Sequence, residues 1–115
     1  MPAIQATIAN GAAVTDVIDI GTSGVLGGLR IPAMTTSTVI TVLAAESPTA
    51  TFVPLYDRAG NAITAACSTS AARAANFNPD DVCGWRYFKF QAGTGSGDNQ
   101  SGAKTLFVMF RTKLD

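Results

Sequence analysis

The sequence contains no histidine. That absence removes the side chain that titrates nearest neutrality, the usual partner of a nucleophilic serine or cysteine, and the commonest zinc ligand. Charge is also scarce, since Asp, Glu, Lys and Arg make up 14% of the 115 residues against a typical ~25%. Eight basic and eight acidic residues cancel, so no global field draws the chain to nucleic acid or to an anionic membrane surface. No apolar run approaches the ~18–20 residues that cross a bilayer, and Met1-Pro2-Ala3-Ile4-Gln5 lacks the basic and apolar regions of a signal peptide. The expectation is synthesis in a cytoplasm, with neither nucleic acid nor membrane as partner. Cysteine appears twice, at Cys67 and Cys83. A bridge closing that loop would contribute on the order of 3 kcal/mol, but in a reducing compartment two lone thiols read first as small hydrophobes and only second as a disulfide.

What remains is 47% hydrophobic, enough for one modest core in a single domain over 1–115. With so little charge, much of the surface must be Ala, Thr, Ser, Gly or apolar. Zero net charge also removes the repulsion that keeps small domains apart, so composition favours a protein built into an assembly.

The order of residues points to strands. Gly, Pro and Thr interrupt every window in which apolar residues might recur at helical spacing. Short β-branched or aromatic runs recur instead at 3–8, 14–20, 25–31, 38–43, 51–56, 62–66, 85–91 and 105–111, bounded by Gly, Pro, Asn or Asp. Eight such runs predict an all-β antiparallel sandwich, jelly-roll-like, with helix a small minority. Residues 57–61, Asp-Arg-Ala-Gly-Asn, read as the loop of a hairpin, and Pro54 assigns its strand to an edge or a bulge. Only 70–76 offers a helical turn or two, as readily as not. Strand parity assigns Ile18, Ile20, Leu29, Ile31, Ile40, Val42, Leu55, Phe88, Phe90, Val108 and Phe110 to the core. It leaves Trp85, Tyr87 and Lys89 as an outer strip. In 105–111 both parities are apolar, so something is expected to cover the second face of that strand.

No motif for chemistry survives inspection. Residues 97–105 approach a phosphate-cradling loop, but Ala103 separates Gly102 from Lys104, and a strand rather than a helix follows. Gly21, Gly24, Gly27 and Gly28 miss the dinucleotide spacing and read as turn and bend glycines. Asp80 and Asp81 after Asn78-Pro79, with Asp98-Asn99, match no calcium loop. Asn99-Gln100-Ser101 is a glycosylation sequon without a secretory context. The expectation is a non-enzymatic protein with no catalytic residue, cofactor or metal.

Several stretches, taken in order, give a family resemblance: Gly28-Leu29-Arg30-Ile31-Pro32-Ala33, residues 52–61, residues 84–94, and Asn99-Gln100 before the last strand. In this pattern the chain resembles small virion proteins encoded among the head genes of tailed bacteriophages, several of which act as decoration or cement proteins. The segment 45–51, Ala-Glu-Ser-Pro-Thr-Ala-Thr, departs from the pattern, which carries an Asp-Gly turn and an aromatic residue there. The resemblance implies a place on the capsid surface, the major capsid protein as partner, and a homo-oligomer, a trimer. A sugar-binding module of a phage tail or fibre, with Trp85 and Tyr87 stacking on pyranose rings, is the alternative.

Contact is expected at three places. Residues 1–10 are read as an N-terminal arm, in which Pro2, Ala3, Ile4, Gln5, Ala6, Thr7 and Ile8 add to a neighbour's sheet as readily as to their own, so that deleting 2–8 leaves the sandwich folded. The glycine-rich loop 93–102, with Gly95, Asp98 and Asn99, has no large apolar anchor and is expected to order on assembly. Trp85 and Tyr87 form the third.

Overall fold

The computed structural model describes residues 3–112. Nine strands and one short helix follow one another: β1 (Ala3–Ile8), β2 (Ile18–Asp19), β3 (Gly24–Ile31), β4 (Val39–Ala45), β5 (Val53–Pro54), β6 (Thr64–Ala66), β7 (Arg73–Asn76), α1 (Pro79–Val82), β8 (Tyr87–Ala92) and β9 (Lys104–Thr112). They form two antiparallel sheets packed as a β-sandwich. One has the order β1-β9-β3-β7; the other has the order β2-β8-β4-β5, with β6 also paired to β4. The chain thus returns beside its own start, with Ala3 opposite Met109 and Ile18 opposite Phe88.

Period-two alternation builds the core between the sheets. Ala6, Ile8, Leu26, Leu29, Ile31, Leu106 and Val108 come from one sheet, and Ile18, Ile40, Val42, Ala44, Phe88, Phe90 and Ala92 from the other. The Phe88 and Phe90 rings lie 6.3 Å apart and nearly parallel. Of the residues that parity assigns to the core, all are buried except Phe110. Phe110 is half-buried because it sits opposite Leu26 near the end of the sheet, where β3 begins.

Several local expectations need correction. Residues 70–76 make no helix, because seven residues cannot repay helix nucleation while β3 offers a sheet edge. There β7 pairs from Arg73 to Asn76. Gly28 makes this approach possible, since a Cβ at that position would lie 2.4 Å from the Ala75 carbonyl oxygen. The run 14–20 is not one strand: Thr15 bridges Ile8 and Val14 bridges Gln91 as the chain crosses between sheets, and only Ile18–Asp19 forms a strand. The segment around 57–61 is a loop-out rather than a full hairpin. β5 and β6 both run antiparallel along β4, at Leu43–Ala44 and Val39–Thr41, while the excursion between them closes on the single bridge Tyr56–Ala62. Asn78-Pro79-Asp80-Asp81 opens α1: Asn78 Oδ1 accepts from the Asp80 amide at 3.0 Å, and Pro79 needs no partner in the first turn.

The arm and the loop are corrected too. β1 is an integral edge strand with Ala6 and Ile8 in the core, because its alternate residues match the apolar face of β9 and bury against it. Loop 93–102 does have an anchor, a polar one. Gln100 is 1% exposed. Its Oε1 accepts from the Thr35 amide at 2.8 Å, and its Nε2 donates to the Asp98 carbonyl at 2.9 Å and to Thr36 Oγ1 at 3.2 Å. Its main chain is held at both ends, with Gly11 N–H donating to the Gln100 carbonyl and Gln100 N–H donating to the Ala12 carbonyl.

Candidate interaction surface

The three expected contact regions occupy different parts of the sandwich. Pro2 lies outside the described residues. Along β1, Ala3, Gln5 and Thr7 are exposed, Ile4 is half-buried, and Ala6 and Ile8 face the core, where they are unavailable to a partner. Gly95, Asp98 and Asn99 lie beyond the last residue of β8, whereas Tyr87 is its first, so the strand separates them by roughly 17 Å. The structure does bring the loop to the exit of β1, where Gly102 N–H donates to Asn10 Oδ1 at 2.8 Å. Asp98 is held by its amide, which donates to the Ala92 carbonyl at 2.7 Å; the Gly95 and Asn99 carbonyls accept from Gln91 Nε2 and Thr36 Oγ1.

The outer face of the β8 sheet is the most developed surface. Register sets Asp19, Tyr87 and Ala45 in one row, and Lys89, Leu43 and Pro54 in the next. Continuing β5 backwards puts Phe52 beside Ala45. Two cations lie over rings in this strip: Arg86 at 5.0 Å from the Tyr87 ring centre and Lys89 at 4.9 Å from that of Phe52. Leu43, between Lys89 and Pro54 in register, is buried although it belongs to the outer face. Tyr56 shares the parity of Phe52 and Pro54 and is 58% exposed; Trp85, just before β8, and Val53, opposite core-facing Ala44, are the other exposed large hydrophobic side chains, at 37% and 53%.

Arg86 shows why alternation alone misreads the strip's margin. Parity groups it with Phe88 and Phe90, but β8 starts one residue later, and Arg86 turns to Asp19 instead. Its Nε and Nη2 donate to Asp19 Oδ1 and Oδ2 at 2.6 and 2.9 Å. That fork, with the Gly21 amide on the same carboxylate, holds Asp19 below the usual carboxylate range. Burial pushes the Cys67 thiol up, whereas Cys83 is exposed. Phe52 and Asp19 were missed from the sequence. The alternation Phe52, Pro54, Tyr56, out of phase with buried Leu55, was the available signal for the first; no local signal marks the second.

Comparison with protein families, with curated proteins and with solved structures finds no match. The surface must be read on its own geometry. Among the described residues no helix is long and apolar enough to cross a membrane, and no group of three or more His, Cys, Asp or Glu side chains gathers where a metal ion would bind.

The opposite outer face is simpler. Phe107 and Met109 of β9 lie half-buried along its middle, flanked by Gln5 and Arg30 in one row and by Ala3 and Gly28 in the other. They remain half-buried among the described residues, so the cover expected from the apolar parity of 105–111 is left to a partner surface.

Proposed function

We propose that this chain is a non-enzymatic structural protein of a phage particle, a decoration or cement protein that binds the major capsid protein lattice at the capsid surface as a homo-oligomer. The observation that carries this reading is the outer strip at the β8 sheet: Tyr87 and Lys89 on the strand itself, each in a cation–ring contact, with Arg86, Phe52, Trp85 and Tyr56 from the segments that flank β8 and β5. Aromatic and arginine side chains of this kind supply contact area at little conformational cost, and they dominate protein–protein interfaces. The family resemblance supplies the particle and the three-fold count. Strand order supports the jelly-roll reading. With β5 and β6 taken as one interrupted strand, the sheets run 1-8-3-6 and 2-7-4-5, the arrangement of a folded-over antiparallel ribbon.

The sugar-binding alternative draws on the exposed Trp85 and Tyr56 rings. It is weakened at Tyr87 and Phe52, where a cation already occupies one face of each ring. Co-sedimentation of the purified protein with expanded capsids, alongside a glycan-binding screen, separates the two. Capsid binding that is lost in Trp85→Ala and Tyr87→Ala, with both variants folded, is the expected result. Binding to glycans and not to capsids would replace the proposal with the alternative.

A further inference from the structure

The four margins of the two sheets are not equally protected. β2 offers two residues, one of them the ion-paired Asp19. The β5 and β6 margin is two short pieces, interrupted by Pro54 and the loop-out at 57–61. β7 has four residues and carries Arg73. These are the devices by which sheet edges avoid one another: short length, charge, proline and irregularity. β1 has none of them. Its six residues, Ala-Ile-Gln-Ala-Thr-Ile, hold no charge and no proline, and they pair with β9 without a bulge. Among the described residues, the only bridge on its other side is that of Ile8 with Thr15. Along Ala3 to Thr7 every second residue therefore points a backbone donor and acceptor outward that no strand among the described residues takes.

We infer that this edge pairs with β1 of a second copy, joining two four-stranded sheets into one of eight strands across a two-fold axis. The register follows from the pleat. Paired residues of antiparallel strands share a face, so exposed Ala3, Gln5 and Thr7 must meet each other, and half-buried Ile4 must meet Ala6. The one register that spans Ala3 to Thr7 sets Gln5 opposite Gln5, Ala3 opposite Thr7, and Ile4 opposite Ala6. No like charges meet in it, because the strand has none, and a chain of zero net charge adds no long-range repulsion. The Ile4 side chain, the half-buried member of the core-facing set, gains cover from the second copy. This assembly does not rest on the capsid reading, and it closes on two copies rather than three. A three-fold ring through the same sheet would have to pair β1 with the protected β7 edge of the next copy.

Sedimentation and disulfide trapping test it on the full chain, with Cys83→Ser introduced to remove the exposed thiol. Gln5→Cys is expected to give a covalent dimer on mild oxidation. Thr7→Cys alone should give little, whereas a mixture of Ala3→Cys and Thr7→Cys proteins should cross-link with each other. Gln5→Lys places two lysines together at the axis and should convert the dimer to monomer, with an unchanged β-type circular dichroism spectrum showing that it is folded. A wild-type protein that sediments as a monomer at high concentration overturns the inference. So does a trimer, or a dimer in which Gln5→Cys fails to cross-link. Capsid binding is scored separately: a dimer would replace the three-fold count that the resemblance implies and leave the capsid reading standing, and loss of capsid binding would leave the dimer standing.

Discussion

Gln100 does with hydrogen bonds what an apolar anchor does by burial. Both heteroatoms of its side chain are satisfied by groups from two loops, 35–36 and 98, and its main chain ties the same loop to 11–12. Truncation removes the partner of the part-buried Thr35 amide and Asp98 carbonyl and leaves a void where the buried Gln100 side chain stood. Gln100→Ala should cost about 2–3 kcal/mol, read as a lower urea midpoint at unchanged slope. Gln100→Leu fills the volume but not the hydrogen bonds, so it should recover only part of that loss. Asp19 gives a pH-dependent counterpart. Its carboxyl is held low by Arg86 and by the Gly21 amide, so the folded chain takes up this proton less readily than the unfolded one. The contribution is therefore complete above the ordinary carboxylate pKa of ~4 and is lost as pH falls through the lower folded value. Both side chains of the pair are about two-fifths exposed, at 40% and 43%, so the effect is small. Wild type should be more stable than Asp19→Asn near neutrality, and the gap should narrow as pH falls below the ordinary carboxylate range. A gap that persists there would assign the difference to something other than this ion pair.

At the scale of elements, β1 is where structure and sequence part most clearly. Its strand character is plain from Ala-Ile-Gln-Ala-Thr-Ile, but its partner is not. Nothing local says that Ala3 will pair with Met109, from the far end of the chain, rather than with a neighbouring molecule. The observed pairing buries Ala6 and Ile8 completely, so deleting 3–8 should unfold the sandwich or leave it without a cooperative transition, and Ile8→Ala alone should cost about 2–5 kcal/mol. A truncated protein melting as the full chain does would restore the detached arm. β8 was legible almost entirely, because Phe88 and Phe90 alternate with Tyr87, Lys89 and Gln91 and the strand is long enough to show its period. β7 was not. Arg-Ala-Ala-Asn has no alternation to read, and it becomes a strand because Gly28 lets a backbone come close. β2 and the loop-out at 57–61 were hidden for a related reason, since each is set by what the chain must cross or pass rather than by its own residues. In the outer strip, Tyr87 and Lys89 were visible as one parity of one strand, whereas Trp85, expected beside them, precedes β8. Phe52 joins them only through β4, which no single-strand pattern can reveal.

For the molecule as a whole, order is decided by pairings between residues distant in sequence. β1 waits for β9, and β2 for β8; only β4 with β5 and β6 closes within a short stretch. Each distant pairing spends loop-closure entropy before its contacts return anything, so folding should be slow for a chain of this size, in the range of milliseconds to seconds that non-local all-β domains show. Stopped-flow refolding monitored by Trp85 fluorescence reads this directly, and a microsecond relaxation would contradict it. The same topology makes β9 indispensable. It lies between β1 and β3, supplies the fully buried Leu106 and Val108, and gives β1 its only strand partner among the described residues. A chain ending at Ala103 keeps every strand of the β8 sheet, but it leaves β1 unpaired and β3 with β7 alone. The apolar face of the surviving sheet, with Phe88 and Phe90 at its centre, would then open to water where β9 and β1 had covered it. The truncated protein should therefore show no cooperative urea transition and no protected amides in either sheet. A sigmoidal transition with a wild-type slope would mean that the β8 sheet folds by itself, and that the sandwich is two units rather than one.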